Sequence, residues 1–390
     1  MLKLSKILQQ PISITGIASV SALGMSLPQV WECYKRSDSI FTTKSVSGQR
    51  VALSKVTPEI EEALSELKQS HSAYKKLDRS VLLGILAARM AFPKHLKDKL
   101  VGVTIGSSRG ATGLFEKYHE QFRSKGKVSA FSSPTTTLGN ISSWVGQDLG
   151  VQGIQVGHSV TCSTALHAVL NGIAWLQADM ADAFVVGGSE AALTPFTLAQ
   201  MQAMKLYSTS PEAFACESLR LDKKKNTMVL GEGAAVAVLE KGISENRIAS
   251  IKGYGFASEK IAHGSAISEN AECFQESMKN ALDRSGLKTV DAIIMHAPGT
   301  VKGDTAEFNA VKEVFRNKLP LLTTNKWLLG HTFGASGMMS VEMAILMLQH
   351  NQFIPNPFFS NNIPTNKPLE HLMVNAVGFG GNAVSIIVGK

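Results

Sequence analysis

Four short stretches of this 390-residue chain carry side chains that could do chemistry. The first is Val160-Thr-Cys162-Ser163. It joins an alternating, β-branched run from Gln155 to a helical repeat of Leu166, Val169, Leu170, Ile173 and Ala174. A cysteine at a strand–helix join has the geometry of a nucleophile elbow. Unpaired backbone N–H groups and the helix dipole at that point favour the thiolate, the attacking form. The second stretch is His296-Ala-Pro-Gly-Thr300, with Asp304 and Glu307 after it. The third is Lys326-Trp-Leu-Leu-Gly-His331, running into Gly334-Ala-Ser-Gly337. The fourth is Gly378-Phe379-Gly-Gly381. Taken singly, each has a plain reading: a small buried thiol, a hydrogen-bonded loop histidine, a tight turn. Four of them at matching places in a repeated pattern point to one site.

The elements that must hold these residues repeat once along the chain. Residues 12–17 open a strand and a helix through Val30, Trp31 and Tyr34 follows; 45–77 read as a polar surface excursion. Asp78-Arg79 introduces a helix ended by Pro93, and the apolar run 100–107 reads as a buried parallel strand. Helices over 112–123 and 134–147 precede a strand 155–161 and the Cys162 helix. Strands 183–188 and 233–240 close this part. The second part matches it with a strand at 251–256, a helix at 270–284 and a strand at 292–299. The 326–337 stretch leads into a helix to Leu348, and strands at 374–381 and 383–388 end the chain. The pattern predicts two similar α/β halves with chemistry at the seam.

Composition narrows the class. An apolar fraction of 44% with 33 glycines suits a globular α/β chain with many turns. No apolar run is long enough to span a bilayer, and the first ten residues lack the core of a signal peptide. Cys33, Cys162, Cys216 and Cys273 are far apart with no CxxC spacing, which argues against zinc and disulfides and for a reduced, cytoplasmic setting. The net charge of +8 comes from scattered lysines and arginines without a nucleic-acid motif, so it suits an acidic partner.

With these motifs in this order, the chain resembles the elongating β-ketoacyl-[acyl-carrier-protein] synthases of fatty-acid and polyketide synthesis, over nearly its whole length. The resemblance implies a thiolase-like α/β fold of two pseudo-duplicated halves in α-β-α-β-α layers. Residues 1–248 would carry the nucleophile, and 249–390 both histidines. It implies Cys162, His296, His331 and Lys326 as catalytic residues: an acyl group held on Cys162, and malonyl decarboxylation assisted by two neutral imidazoles. Lys326 would keep His331 unprotonated. The condensation oxyanion would rest on the backbone N–H groups of Cys162 and Phe379, with Phe379 also gating access and Thr300 binding pantetheine. No metal and no cofactor is implied beyond the phosphopantetheine of the acyl carrier protein. That partner would dock on Lys75, Lys76, Lys127 and Lys205. A homodimer, or a heterodimer with a related ketosynthase or chain-length factor, would pair through the strand at 154–161.

The family pattern is broken at Pro298, where a pantetheine-binding threonine is usual, and at Ser340, where a glutamate is usual. Glu342 lies two positions on and points elsewhere on its helix. Residues 224–227 and 259–263 also depart from the pattern. These changes resemble a specialised branch, nearest to synthases of aryl polyene or flexirubin-type pigments. A thiolase would need a second cysteine near the C-terminus, and none follows Cys273. A non-catalytic chain-length subunit would lack Cys162.

Overall fold

The computed structural model of the chain describes residues 10–46, 48–138, 140–210, 214–260, 267–316, 318–359 and 368–390. Its strands are β1 (Ile12–Val20), β2 (Thr42–Val46), β3 (Gln49–Ser54), β4 (Val101–Gly106), β5 (Ala183–Glu190) and β6 (Leu230–Gly231). They continue with β7 (Gly233–Lys241), β8 (Ala249–Ser258), β9 (Ala292–Ile294), β10 (Leu321–Thr323), β11 (His371–Gly378) and β12 (Asn382–Gly389). The helices are α1 (Leu27–Tyr34), α2 (Pro58–Ser70), α3 (Arg79–Ala91), α4 (Thr112–Lys125), α5 (Ser132–Thr136) and α6 (Asn140–Leu149). After these come α7 (Thr164–Gln177), α8 (Pro195–Ala203), α9 (Glu272–Ser285), α10 (Val301–Phe315), α11 (Lys326–Leu329) and α12 (Ser336–His350).

Strand alternation sets the layers. In β5, Phe184 and Val186 face the central helices α7 and α12, while Ala183 and Val185 face α3 and α6. In β11 and β12, Val374, Val384 and Ile386 face the same central helices, while Met373 and Ile387 face α9 and α10. The result is the α-β-α-β-α arrangement expected of a thiolase-like fold. Helix α12 is buried from Ser336 to Leu348, as a helix packed between two β layers must be. The β layers are one hydrogen-bonded sheet in the order β10-β9-β11-β12-β8-β1-β7-β5-β4. A short antiparallel pairing of β1 with β8, Ile12 opposite Ile251, joins them. Outward from that join the order reads β1-β7-β5-β4 on one side and β8-β12-β11-β9 on the other, so corresponding strands of the sequence repeat take corresponding places.

Three expectations change. The stretch 45–77 is not wholly surface: β3 buries Val51, Ala52 and Leu53 behind an exposed β2, and α2 buries Ile60, Leu64 and Leu67. The single helix at 134–147 is two, α5 and α6. Thr135 and Thr136 hydroxyls turn back on the carbonyls of Phe131 and Ser132, local bonds that compete with helix continuation. The strand at 155–161 is absent. Residues 153–158 follow β4 through Val103 N–H to Ile154 O, Val156 N–H to Val103 O and Ser107 N–H to His158 O, without forming a full strand. Alternation gives a strand only where a neighbour completes the ladder. Part of the unusual 259–263 loop lies outside the described residues.

Candidate active site

Cys162 sits in a 3-10 turn, Thr161–Ser163, that feeds α7. Thr161 before it is left-handed at φ 47°, a rare state for a β-branched residue and a mark of stored backbone strain. The end of β11 presses on this turn. A Cβ on Gly378 would collide with Thr161 Oγ1 and Val160 O, so glycine is required there. The thiol is buried and its pKa is pushed up to about 12, first by burial and then by the Glu190 carboxylate, with Lys326 and Arg109 opposing. The thiolate bias expected at a helix start is therefore overridden, because burial costs the charged form more than the helix terminus returns. Cys162 therefore rests as a thiol.

His296 follows β9, which is hydrogen-bonded on both sides, between β10 and β11. His331 follows Gly330 and is clamped by its backbone: His331 N–H donates to Val229 O at 2.7 Å, and Gly231 N–H to His331 O at 3.0 Å. Because β6 in turn pairs with β3, Leu53 opposite Leu230, the hairpin read as surface is the buttress behind His331. The two imidazoles stand 5.2 Å apart between centroids, at 83° to each other. Burial, then the Lys326 charge, lowers His331 to about 3 and takes His296 well below its usual range. Both rings are neutral at physiological pH. His331 Nδ1 is buried with no partner among the described residues, an orphan that a substrate oxygen can satisfy. Ala297 and Phe333, beside the histidines, are also left-handed.

Lys326 starts α11 and is 1% exposed; burial lowers it to about 8, against the opposing pull of Glu307. Sequence reasoning had noted Glu307 without giving it a task. Its carboxyl accepts from His296 N–H at 2.9 Å, Ala297 N–H at 2.8 Å and Asn375 Nδ2 at 3.2 Å, tying the first histidine loop to β11. Glu342 instead takes the Ser19 hydroxyl at 2.7 Å, so Glu307 is the carboxyl that acts first on Lys326. Glu190 was missed altogether. It accepts from Ser107 Oγ, the amides of Ser108 and Arg109, and the Gly334 amide, joining the end of β4 to the turn after His331. Asp304 is paired with Lys223 at 2.6 Å and takes the amides of Leu219 and Gly299.

Cys162, His296 and His331 line one cavity of about 290 Å³ with Pro298, Thr300 and Phe379. Phe379, which lines it, is 38% exposed. Thr300 caps α10 by accepting from Gly303 N–H at 3.1 Å. Asn226 and Lys302 continue from this cavity into a surface groove that carries Arg50, Lys205, Lys224 and Lys225 and, among the described residues, no acidic one. Of the four lysines expected to dock a carrier, Lys205 lines this groove. Lys75, Lys76 and Lys127 are exposed but do not line it, and the Lys76 ammonium lies over the Phe131 ring at 3.2 Å. Among the described residues no group of His, Cys, Asp and Glu could hold a metal, and no helix is long and apolar enough to cross a membrane.

Comparison with known proteins agrees with this geometry. Residues 9–243 match the model of the beta-ketoacyl synthase N-terminal domain, and 248–360 that of its C-terminal domain. The chain is 26% identical to the 3-oxoacyl-[acyl-carrier-protein] synthase 2 of Coxiella burnetii, over 97% of this chain and 98% of that one. A beta-ketoacyl synthase from Burkholderia phymatum superposes with a TM-score of 0.82 at 21% identity, covering 98% of this chain and 100% of the other. A type II polyketide acyl-carrier protein complex with its ketosynthase, bound to the hexaketide, gives a TM-score of 0.83 at 18% identity, over 97% and 99% of the two chains. With both family models matched in order along most of its length, the chain belongs to the beta-ketoacyl synthase family of acyl-transferring condensing enzymes.

Proposed function

We propose that the chain elongates acyl groups by decarboxylative Claisen condensation, with Cys162 as nucleophile and His296 and His331 as oxyanion donors. The observation that carries this reading is the shared cavity: one thiol and two neutral, buried imidazoles, with Lys326 and Glu307 packed behind them. Cys162 Sγ attacks the acyl thioester carbonyl. The bond to the pantetheine sulfur breaks, and that sulfur leaves with the proton of the resting thiol. Malonyl thioester then loses carbon dioxide, and the electron pair of the broken C–C bond becomes an enolate. Its oxygen takes N–H bonds from the two imidazoles, which donate without ionising. The enolate carbon attacks the acyl carbonyl, the C–S bond breaks, and Cys162 recovers a proton from water. The backbone N–H groups of Cys162 and Phe379 hold the oxyanion of each acyl-transfer step, and Phe379 gates entry.

The substrates arrive on an acidic acyl carrier protein whose phosphopantetheine passes Thr300, so the protein needs no cofactor of its own. The five-cation groove, from Arg50 to Lys302, supports that docking. The division at 248/249 separates the half with the nucleophile from the half with both histidines. The mostly half-buried run 154–161 is the segment offered to a second copy or a related subunit. Four free cysteines fit a reducing, cytoplasmic setting. Pro298 and Ser340 support the aryl polyene or flexirubin-type branch. The test is intact-protein mass spectrometry with a panel of acyl-carrier proteins. A mass gain that disappears in Cys162→Ala supports the acyl-enzyme, and no gain with any acyl group removes the reading.

A further inference from the structure

Residues 224–227, which depart from the family pattern, supply part of the cationic groove beyond the active cavity. The groove measures about 1030 Å³ and holds Arg50, Lys205, Lys224, Lys225 and Lys302. Asn226 fixes its junction with the cavity: its Nδ2 donates to Lys205 O, and its Oδ1 accepts from Val301 N–H, both at 2.9 Å. A second hollow of about 700 Å³ shares Ser208, Thr209 and residues 224–226 with the groove and adds Phe214. Phe214 meets Phe358 in a T-shaped contact, centroids 5.5 Å apart, and is still 42% exposed. The acids among the described residues of this hollow, Glu217 and Asp222, are both paired with Arg220, and Lys223 is taken by the buried Asp304. Lys224 and Lys225 have no ion pair among the described residues. Outward from Cys162 the surface therefore offers a cavity, then a row of unpaired cations, then an open aromatic ring.

We propose that coenzyme A thioesters load Cys162 directly, with the nucleotide lying along this groove. This rests on the condensation reading above and names a donor for it. Coenzyme A carries its groups in the matching order: thioester, pantetheine arm, pyrophosphate with a ribose phosphate, and adenine. With the thioester at Cys162, the arm leaves past Asn226 and Lys302, the phosphates meet the row of cations, and the base reaches Phe214. A carrier protein brings one phosphate on the same arm and no base, so Phe214 beside the lysines separates the two donors. A single-stranded nucleic acid would also suit lysines and an aromatic ring, but it has no thioester for the joined cavity. In the transfer, Cys162 Sγ bonds to the acyl carbon and the bond to the coenzyme A sulfur breaks. That sulfur leaves with the thiol proton. Lys224, Lys225 and Phe214 are thus binding residues for the donor, outside the bond-making steps.

The test follows acylation of Cys162 by intact mass at limiting donor, using hexanoyl and octanoyl thioesters of phosphopantetheine, of coenzyme A and of acyl carrier protein. The wild type acylates at least about tenfold faster with the coenzyme A thioester than with the phosphopantetheine thioester, the worth of one added charge-assisted phosphate contact. Lys224→Ala with Lys225→Ala erases most of that ratio. Phe214→Ala lowers it at least about fivefold, the usual loss when a base is deprived of its stacking ring. Each ratio is taken within one variant, so a general change in Cys162 reactivity cancels. All three side chains are exposed, so their removal leaves the core intact. Equal rates with the two small donors in the wild type, or a ratio that either variant leaves unchanged, overturn the proposal. Loading from the carrier but not from coenzyme A also overturns it and leaves the condensation reading standing. No loading by any donor, the carrier included, overturns the condensation reading instead.

Discussion

His296 and His331 face each other nearly at right angles, and the Lys326 charge reaches both. Burial first, and then that charge, lower His331 to about 3 and hold His296 well below its usual range. Rings so lowered are neutral N–H donors through the working range of an enzyme. Histidine-selective nitrogen NMR on the folded protein therefore shows neutral imidazole signals for both residues from pH 5 to pH 8, with no midpoint near the ordinary histidine value. A midpoint near that value for either ring removes the neutral-donor mechanism. His331→Ala lowers malonyl decarboxylation by roughly a hundredfold or more, the usual cost of one lost oxyanion donor.

Glu307 gives a second expectation. Its two oxygens accept the consecutive amides of His296 and Ala297. An amide side chain turns one acceptor into a donor that faces an N–H. Glu307→Gln therefore displaces His296 and lowers decarboxylation, while alkylation of Cys162 by iodoacetamide continues at close to the wild-type rate, because the Glu307 hydrogen bonds go to the histidine loop and to Asn375 and not to the thiol turn itself. A variant with full decarboxylation would show that the loop needs no carboxyl to hold it.

The buried carboxyl of Glu342 makes a pH-dependent contribution to stability whose sign can be worked out. Burial raises it to about 7 from an ordinary 4.5, with only the Ser19 hydroxyl opposing. Between those values the folded protein holds a proton that the unfolded chain has released. Its contribution is therefore fully present below about pH 4.5 and is lost as pH rises through 7. Glu342→Gln keeps an acceptor for Ser19 and never ionises. It should melt close to the wild type at pH 5 and above it at pH 8, by at most about 3 kcal/mol. A difference that does not grow between the two pH values would place the proton elsewhere.

That Cys162, both histidines and Phe379 share one cavity, with Lys326 buried, was legible in the sequence because most of them end a strand or open a helix beside glycines. Short local signals of that kind survive without knowledge of the fold. Glu190 was not legible, since a glutamate closing a strand looks like any polar terminus until Ser107, Arg109 and Gly334 converge on it. The β3 hairpin was misread for a related reason. Its exposed partner β2 made the whole stretch polar on average, and its role behind His331 exists only through pairing with β6. The thiol shows the opposite limit. Its helix-terminal position was read correctly, but burial, a tertiary quantity, decided its charge.

Carrier docking is the remaining expectation, and the cationic groove is where we propose to test it. Arg50, Lys205, Lys224, Lys225 and Lys302 line one continuous surface reaching the active cavity, and none is in an ion pair among the described residues. Clustered like charges repel one another and hold a field that an acidic carrier relieves. Reversing two of them, Lys205→Glu with Lys225→Glu, should raise the KM for malonyl-acyl-carrier protein at least about tenfold, a penalty of roughly 1.4 kcal/mol. Turnover of malonyl-N-acetylcysteamine, which has no carrier and no phosphate, should be unchanged. Lys76→Glu, outside the groove and resting on Phe131, should have the smaller effect on the carrier. Added salt should weaken wild-type carrier use while sparing the small thioester, since the screening length falls as ionic strength rises. Equal losses on both substrates in the double variant would mean the lysines support the fold, and a larger loss in Lys76→Glu would move the docking face away from the groove.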